Sequence, residues 1–307
     1  MSEEYHIPVL LNESIDGLNV KPEGTYVDIT YGGGGHSREI LRRLGNKGRL
    51  IAFDQDSEAY ANKIEDFRLI FIKHNFRYIA QFLHYLGIEK VDGILGDLGV
   101  SSHHFDSPER GFSFRFDAPL DMRMSQALKT TAATILNSYS EKELTRIFAD
   151  YGEIQHPVRL SNAIVEARAK SPIETTFQLR DIACAIATMS EHNKLLARVF
   201  QALRIEVNNE MSALHDMLSR TAGLLKKDGR LVIIAYHSLE DRMVKNMIRS
   251  GNCDTADATK DVFGHAYTTF EAINRKPIVP TDKELEHNSR SRSAKLRIAR
   301  RTAYQKS

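Results

Sequence analysis

Four consecutive glycines, Gly32–Gly35, followed by His36 and Ser37, stand where the apolar run "TYVDITY" gives way to a helical pattern. Glycine at a strand-to-helix turn lets something approach the backbone closely. The run does not complete the dinucleotide fingerprint G-x-G-x-x-G, because its last position, counted from Gly32, is Ser37. Read alone, it is either a ligand cradle or a turn that binds nothing. Asp54 shifts that balance. It ends "LIAFD" about twenty residues after the loop, the spacing at which a carboxylate meets ribose hydroxyls. Loop and acid together favour an adenosine-bearing cofactor. Phe76, after a third apolar run, suits either an adenine face or the core. Asp97, in "GDLGVSS", is placed either to neighbour the reactive end of such a cofactor or to anchor a loop.

Other clusters carry different chemistry. "HSLEDR", His237–Arg242, invites comparison with a serine hydrolase, but no G-x-S-x-G elbow surrounds Ser238. Ser238 and Asp241 read instead as a helix capping box, which leaves His237 and Arg242 as candidates for substrate contact. "ERGFSFRFDAPLDMRMS" interleaves Arg110, Phe112, Phe114, Arg115, Phe116 and Arg123. Such a loop offers stacking and phosphate-binding groups to single-stranded RNA, or else packs as an apolar hinge.

The elements that position these residues alternate as in a parallel α/β protein. Strands are expected at Thr25–Tyr31, Arg49–Asp56, Arg68–Phe76 and Val91–Gly99, with helical stretches between them. That rhythm predicts a doubly wound, mainly parallel sheet whose ligand crevice lies at the carboxyl ends of its strands. Between Ser101 and about Asn193 no strand pattern appears. "SEKELTRIFADYG", from Ser140, opens with a capping box, and two more helical patterns follow. An all-helical insertion is therefore expected over 104–193, with the α/β part split into 1–103 and 194–307. A long amphipathic stretch, Leu195–Lys227, then leads into a fifth strand, Asp228–Ser238, and "SAKLRIARR" suits an edge strand.

The 307 residues, 42% apolar and 27% charged, fit one large or two ordinary globular domains. No apolar run is long enough for a bilayer, and the acidic start does not resemble a secretory signal. Two distant cysteines, Cys184 and Cys253, argue against a disulfide framework or zinc site and suit a cytoplasmic setting. No metal site is expected. The overall charge of +2 hides an asymmetry: Glu286–Ser307 carries seven basic residues against one acid, leaving −4 for the rest. A basic tail on an acidic body suggests a polyanionic partner.

"GGGGHS", "DLGVSS", "RGFSFRFDAPLDMRM", "FQALRIEVNNE", "YHSLEDR" and "RSRSAKLRIA" occur here in an order that resembles the bacterial 16S rRNA cytosine-N4 methyltransferases of the RsmH/MraW type. The resemblance runs nearly end to end, from "HIPVLLNE" to the basic tail. It implies a Rossmann-like domain dependent on S-adenosylmethionine, with a helical insertion, that methylates one cytidine of the decoding (P-site) region in the small ribosomal subunit. It carries the cofactor contacts onto Gly34, Gly35, His36, Asp54, Phe76 and Asp97. It adds His104, where relatives often have glutamine.

A sulfonium methyl is already activated, so the protein must mainly align the nucleophile. Cytosine N4 is a poor nucleophile whose developing charge needs acceptors, and Asp97 with the carbonyls of the Leu98–Ser101 loop is the catalytic candidate. The base must also leave its stack. The insertion and its Arg/Phe loop are expected to wall that pocket, while Arg290, Arg292, Lys295 and Arg297 hold phosphates. A dehydrogenase using NAD and a non-catalytic RNA-binding assembly factor with a vestigial pocket are the rival readings.

Overall fold

The computed structural model describes residues 8–100, 107–257 and 268–303. The chain divides into two compact units, Met1–Gly99 with Met211–Ser307, and Val100–Glu210.

The first unit is built on strands β1 (Thr25–Asp28), β2 (Arg49–Asp54), β3 (Leu69–Lys73), β4 (Val91–Asp97), β5 (Leu225–Ala235), β6 (Phe270–Ala272) and β7 (Lys295–Arg301). Among the described residues they form one Rossmann-like sheet in the order β3-β2-β1-β4-β5-β7-β6. The first five are parallel, and β7 runs antiparallel to both β5 and β6. The chain lays β2 and β3 to one side of β1, then crosses to place β4 on the other. The β1/β4 boundary is thus the switch point where a crevice opens in such sheets.

Alternate strand residues feed two cores. Val27, Ile51, Phe53 and Ile233 pack with Leu83, Leu218 and Val244 from helices on one face. Tyr26, Leu50, Val232 and Ile234 pack with Ile15, Leu18 and Ile40 on the other. Burial on both faces is why these strands read as continuous apolar runs. Each such side chain contributes about 1.5–3 kcal/mol, so the strand ends are held on a rigid frame.

Several boundaries differ from expectation. The first and third strands stop at Asp28 and Lys73, earlier than read, and the residues beyond them form turns. The basic strand at the end, β7, lies inside the sheet rather than at its edge. Its arginines tolerate this because partners come to them. Arg297 donates from Nε and Nη2 to the Asp241 carboxylate at 2.6 and 3.1 Å, and Arg301 Nε donates to the Ala222 carbonyl at 2.9 Å. The long helical stretch is two helices, His192–Asn208 and Glu210–Leu224, broken at Asn209, whose φ is 51°.

The second unit packs helices Ala132–Ser138, Glu141–Asp150, Pro157–Arg168, Thr176–Ala185 and His192–Asn208 around Leu136, Phe148, Leu160, Leu179, Val199 and Leu203. Three of these helices start with reciprocal caps, Thr131/Thr134, Ser140/Glu143 and Thr175/Gln178, which satisfy otherwise orphaned N–H groups. The Ser140 cap is the one expected from the sequence. The helix His192–Asn208, placed with the α/β part by a boundary at 194, buries its apolar face in this unit instead. The start of the unit lies at Val100 rather than 104.

Candidate active site

Three carboxylates stand at neighbouring strand ends: Asp28 on β1, Asp54 on β2 and Asp97 on β4. Between β1 and the helix Gly35–Arg43 the glycine loop turns sharply, with φ of 52° at Gly32 and 74° at Gly34. Side chains rarely adopt these angles, so glycine is required there. Asp54 ties the loop down. Its Oδ2 accepts from Gly32 N–H and its Oδ1 from Asp56 N–H, both at 2.8 Å. Among the described residues, a side chain at Gly32 would meet only the Thr30 carbonyl oxygen, at 4.0 Å, so they leave open space over the loop. On its other side the loop is closely covered: a Cβ on Gly35 would stand 2.2 Å from Pro8 Cγ. The helix starts at Gly34 without a side-chain cap.

Asp28 is fully buried beneath this loop. Thr30 N–H donates to its Oδ1 at 3.0 Å, and Ser37 Oγ donates to Oδ2 at 2.7 Å. Burial pushes its pKa up to about 6; these hydrogen bonds pull the other way, and the nearby Asp54 charge adds to the rise.

Asp97 is the meeting point of four elements. Its backbone N–H donates to Thr30 Oγ1 at 2.6 Å, and the Tyr236 phenol donates to its Oδ1 at 2.7 Å. Its Oδ2 lies 3.9 Å from His36 Nδ1. Burial raises the Asp97 pKa to about 7, the Tyr236 bond opposes this, and Asp28 and Glu240 push further upward. The His36 ring is buried, and its Nε2 lies 3.1 Å from the Val9 carbonyl oxygen. A carbonyl only accepts, so Nε2 carries a proton and Nδ1 is the nitrogen that faces Asp97.

The structure therefore gathers Gly34, Gly35, His36, Asp54 and Asp97 around one loop. Phe76 opens a short turn, Phe76–Tyr78, and is partly buried against the core of that face. Asn75 beside it donates from Nδ2 to Gln55 Oε1 at 3.1 Å, tying the end of β3 to the end of β2. His104 lies outside the described residues, as does Ser101 of the loop whose carbonyls were read as acceptors.

Among the substrate candidates of the first unit, His237 is a helix cap. It is extended, with φ −134° and ψ 165°, and it exchanges bonds with Glu240 ahead of the helix Ser238–Ser250. The capping box thus lies one residue earlier than the Ser238/Asp241 pair read from sequence. Asp241 is released to hold Arg297 and lies 3.8 Å from Lys295 Nζ. Arg242, Arg290 and Arg292 are exposed.

In the second unit, Arg110 is buried and donates from Nη2 to the carbonyls of Arg123 and Met124 at 3.0 and 3.2 Å. Phe112 is core, and Phe114 packs edge-on against Phe200 with centroids 5.4 Å apart. Arg123 forms a bidentate pair with Asp121, both bonds 2.7 Å. Arg115 and Phe116 are the exposed members of the set. Most of the Arg/Phe loop is thus packed and hydrogen-bonded within the second unit.

Sequence reasoning missed Asp28, Thr30 and Tyr236. Asp28 closes the first strand just as Asp54 and Asp97 close theirs, a signal that was present. Tyr236 was hidden inside a strand drawn three residues too far.

Among the described residues no helix is long and apolar enough to cross a membrane. A strand-end carboxylate gripping a glycine loop, with a second carboxylate at the switch point, is a nucleoside-binding arrangement, and sequence comparison says which family built it. The chain is 55% identical over 295 residues to the ribosomal RNA small subunit methyltransferase H of Bacteroides thetaiotaomicron, covering 96% of this chain and 97% of that one. It is 52% identical over 298 residues to the protein of the same name from Christiangramia forsetii, covering 97% and 98%. The sequence model of the MraW methylase family matches residues 3–302, nearly the whole length. With the model matched over nearly the whole chain and relatives above half identity, the chain belongs to the MraW methylase family.

Proposed function

We propose that this chain transfers a methyl group from S-adenosylmethionine to the N4 amine of one cytidine in the decoding region of 16S rRNA, on the small ribosomal subunit in the cytoplasm. The relatives named above are small-subunit rRNA methyltransferases by name, and they support the substrate class. The observation that carries the reading is the pairing of Asp54 with Gly32 at one side of the switch point and the placement of Asp97 at the other.

The residues present fit the cofactor. Asp54 closes β2 beside the glycine loop and accepts from Gly32 and Asp56 N–H, which supports the position from which a strand-end carboxylate meets the hydroxyls of a ribose. The space over Gly32 accommodates an adenosyl group that a side chain there would displace. Phe76, Gly34, Gly35, His36 and His104 are the further contacts of this proposal. When bound, the cofactor supplies a methyl carbon whose bonding electrons return to sulfur as the new N–C bond forms.

The protein's own contribution is alignment and charge. Cytosine N4 loses its ring conjugation as it attacks, and its nitrogen becomes cationic until a proton leaves. Asp97 supplies a negative charge for that nitrogen and an oxygen for its proton. A pKa near neutrality suits both tasks, since the group is ionised often enough to accept and releases the proton readily. In the second unit, the exposure of Arg115 and Phe116 supports their assignment to RNA contact. That of Arg290 and Arg292 does so in the first, through phosphates.

The test is to incubate the protein with labelled S-adenosylmethionine and small ribosomal subunits from cells that lack it, followed by mass spectrometry of the rRNA nucleosides. One N4-methylated cytidine is expected. RNA binding without methyl transfer would favour an assembly factor, and methylation of another base would refute the substrate.

A further inference from the structure

Tyr236 follows directly after β5, and three fixed points determine where its phenol lies. The β4–β5 ladder continues one step past Asp97, with Leu98 N–H donating to the Ile234 carbonyl at 2.9 Å. The Tyr236 backbone N–H donates to Glu240 Oε2 at 2.9 Å, which fastens the residue to the start of the helix Ser238–Ser250. Its ring lies along the turn after Asp97: a Cβ on Gly99, whose φ is 98°, would stand 3.4 Å from Tyr236 Cδ2. From this position the hydroxyl reaches Asp97 Oδ1 at 2.7 Å.

We propose that Tyr236 is a positioning residue for methyl transfer: its phenol fixes Asp97 through Oδ1 and reserves Oδ2 for the proton leaving the methylated amine. The inference rests on the reading of Asp97 given above. Thr30 Oγ1 holds the Asp97 backbone N–H at the same time, so both the main chain and the side chain of this residue are held from neighbouring strands. The proton passes from the cationic N4 to Oδ2, and from the neutral Asp97 to solvent, so charge balances.

Tyr236 is itself no base. Burial, then the Asp97 charge, drive its own pKa far above neutrality, so it acts only as a donor. A donor hydrogen bond favours the ionised carboxylate. It opposes burial and the repulsion from Asp28, at the end of β1, and Glu240, on the helix after β5. His36, on the helix after the glycine loop, is a further titratable neighbour among the described residues, at 3.9 Å.

The experiment is Tyr236→Phe in the full chain, which keeps the ring against Gly99 and removes one oxygen. The carboxyl carbon of Asp97 is titrated by NMR in cofactor-free protein, its resonance assigned by its absence in Asp97→Asn. The titration midpoint is expected to rise by about one pH unit or more, the worth of a hydrogen bond to a charged group. The acid limb of the methylation rate should rise with it, so turnover falls about tenfold below the midpoint and recovers at high pH, with cofactor KM unchanged. An unmoved midpoint, or an equal loss of turnover at every pH, overturns the proposal. Full turnover by Asp97→Asn at saturating cofactor would instead overturn the underlying role of Asp97, whatever Tyr236 does to the resonance.

Discussion

Asp28→Asn turns the most deeply placed of the three carboxylates into a measurable quantity. Asp28 has no exposed surface, and its pKa of about 6 stands roughly two pH units above its ordinary value of 3.8. The sign follows from proton binding. Between pH 4 and 6 the folded chain holds a proton that the unfolded chain has released, so stability falls as pH rises through that window. Above pH 6 the loss is complete. At about 1.4 kcal/mol per pH unit it amounts to about 3 kcal/mol. Asparagine avoids this cost without losing geometry. Its amide oxygen can accept from Thr30 N–H, and its NH₂ can donate to Ser37 Oγ once that hydroxyl rotates to accept. The variant should gain about 3 kcal/mol at pH 7.5 and nothing below pH 4. For a unit of this size that is about 6–12 °C in Tm. Calorimetric unfolding of both cofactor-free proteins from pH 3.5 to 8 measures it. A gain that is the same at both ends of the range, or a loss at pH 7.5, would refute the reasoning.

Neutralising Asp28 also removes a repulsion from Asp97, so Asp28→Asn should move the acid limb of the methylation rate down in pH, opposite to Tyr236→Phe. Asp54→Ala frees Gly32 and Asp56 N–H and removes the ribose acceptor; calorimetric titration with S-adenosylhomocysteine should show affinity lower by about 10–100-fold, at about 1.5–3 kcal/mol for bonds to a charge. Asp97→Ala should instead depress turnover at saturating cofactor, as a methyl-transfer assay would show. Arg297→Ala leaves the partly buried Asp241 with Lys295 at 3.8 Å and should cost about 1.5–3 kcal/mol in denaturant unfolding, whereas Arg290→Ala with Arg292→Ala should flatten the salt dependence of RNA binding by about 2 in log–log slope. Asn208 accepts from Met124 N–H at 2.8 Å and donates to the carbonyls of Met122 and Arg204 at 2.8 and 2.9 Å. Since Met122 is buried with φ 60°, Asn208→Ala should destabilise the second unit by about 2–4 kcal/mol, measured by hydrogen exchange.

The sheet was legible because its strands are buried on both faces and so wrote themselves as unbroken apolar runs, and the positions of Asp54 and Asp97 at strand ends were legible because each closes such a run. What escaped depends on partners remote in sequence. Arg297 and Arg301 made β7 look like a solvated edge, since nothing local announces that Asp241 and the Ala222 carbonyl will come to meet them. The amphipathic stretch Leu195–Lys227 hid a break at Asn209 because each half keeps an apolar face of its own, the first buried in the helical unit and the second against the sheet. In the Arg/Phe loop, composition could not separate a guanidinium that meets phosphate from one that, like Arg110, is consumed by backbone carbonyls. Tyr236 was lost for a simpler reason: a strand drawn to Ser238 leaves no residue free to turn back toward Asp97.

The order of the strands also sets the order of assembly on the ribosome. The helical unit is one continuous stretch, so all of its core residues have been synthesised while the sheet still lacks its last three strands. Until β7 emerges, β5 is an unpaired border of a half-built layer, the kind of bare edge that recruits other chains. The final segment is a keystone: a nascent chain arrested before residue 295 displays a sticky rim that the finished protein never shows.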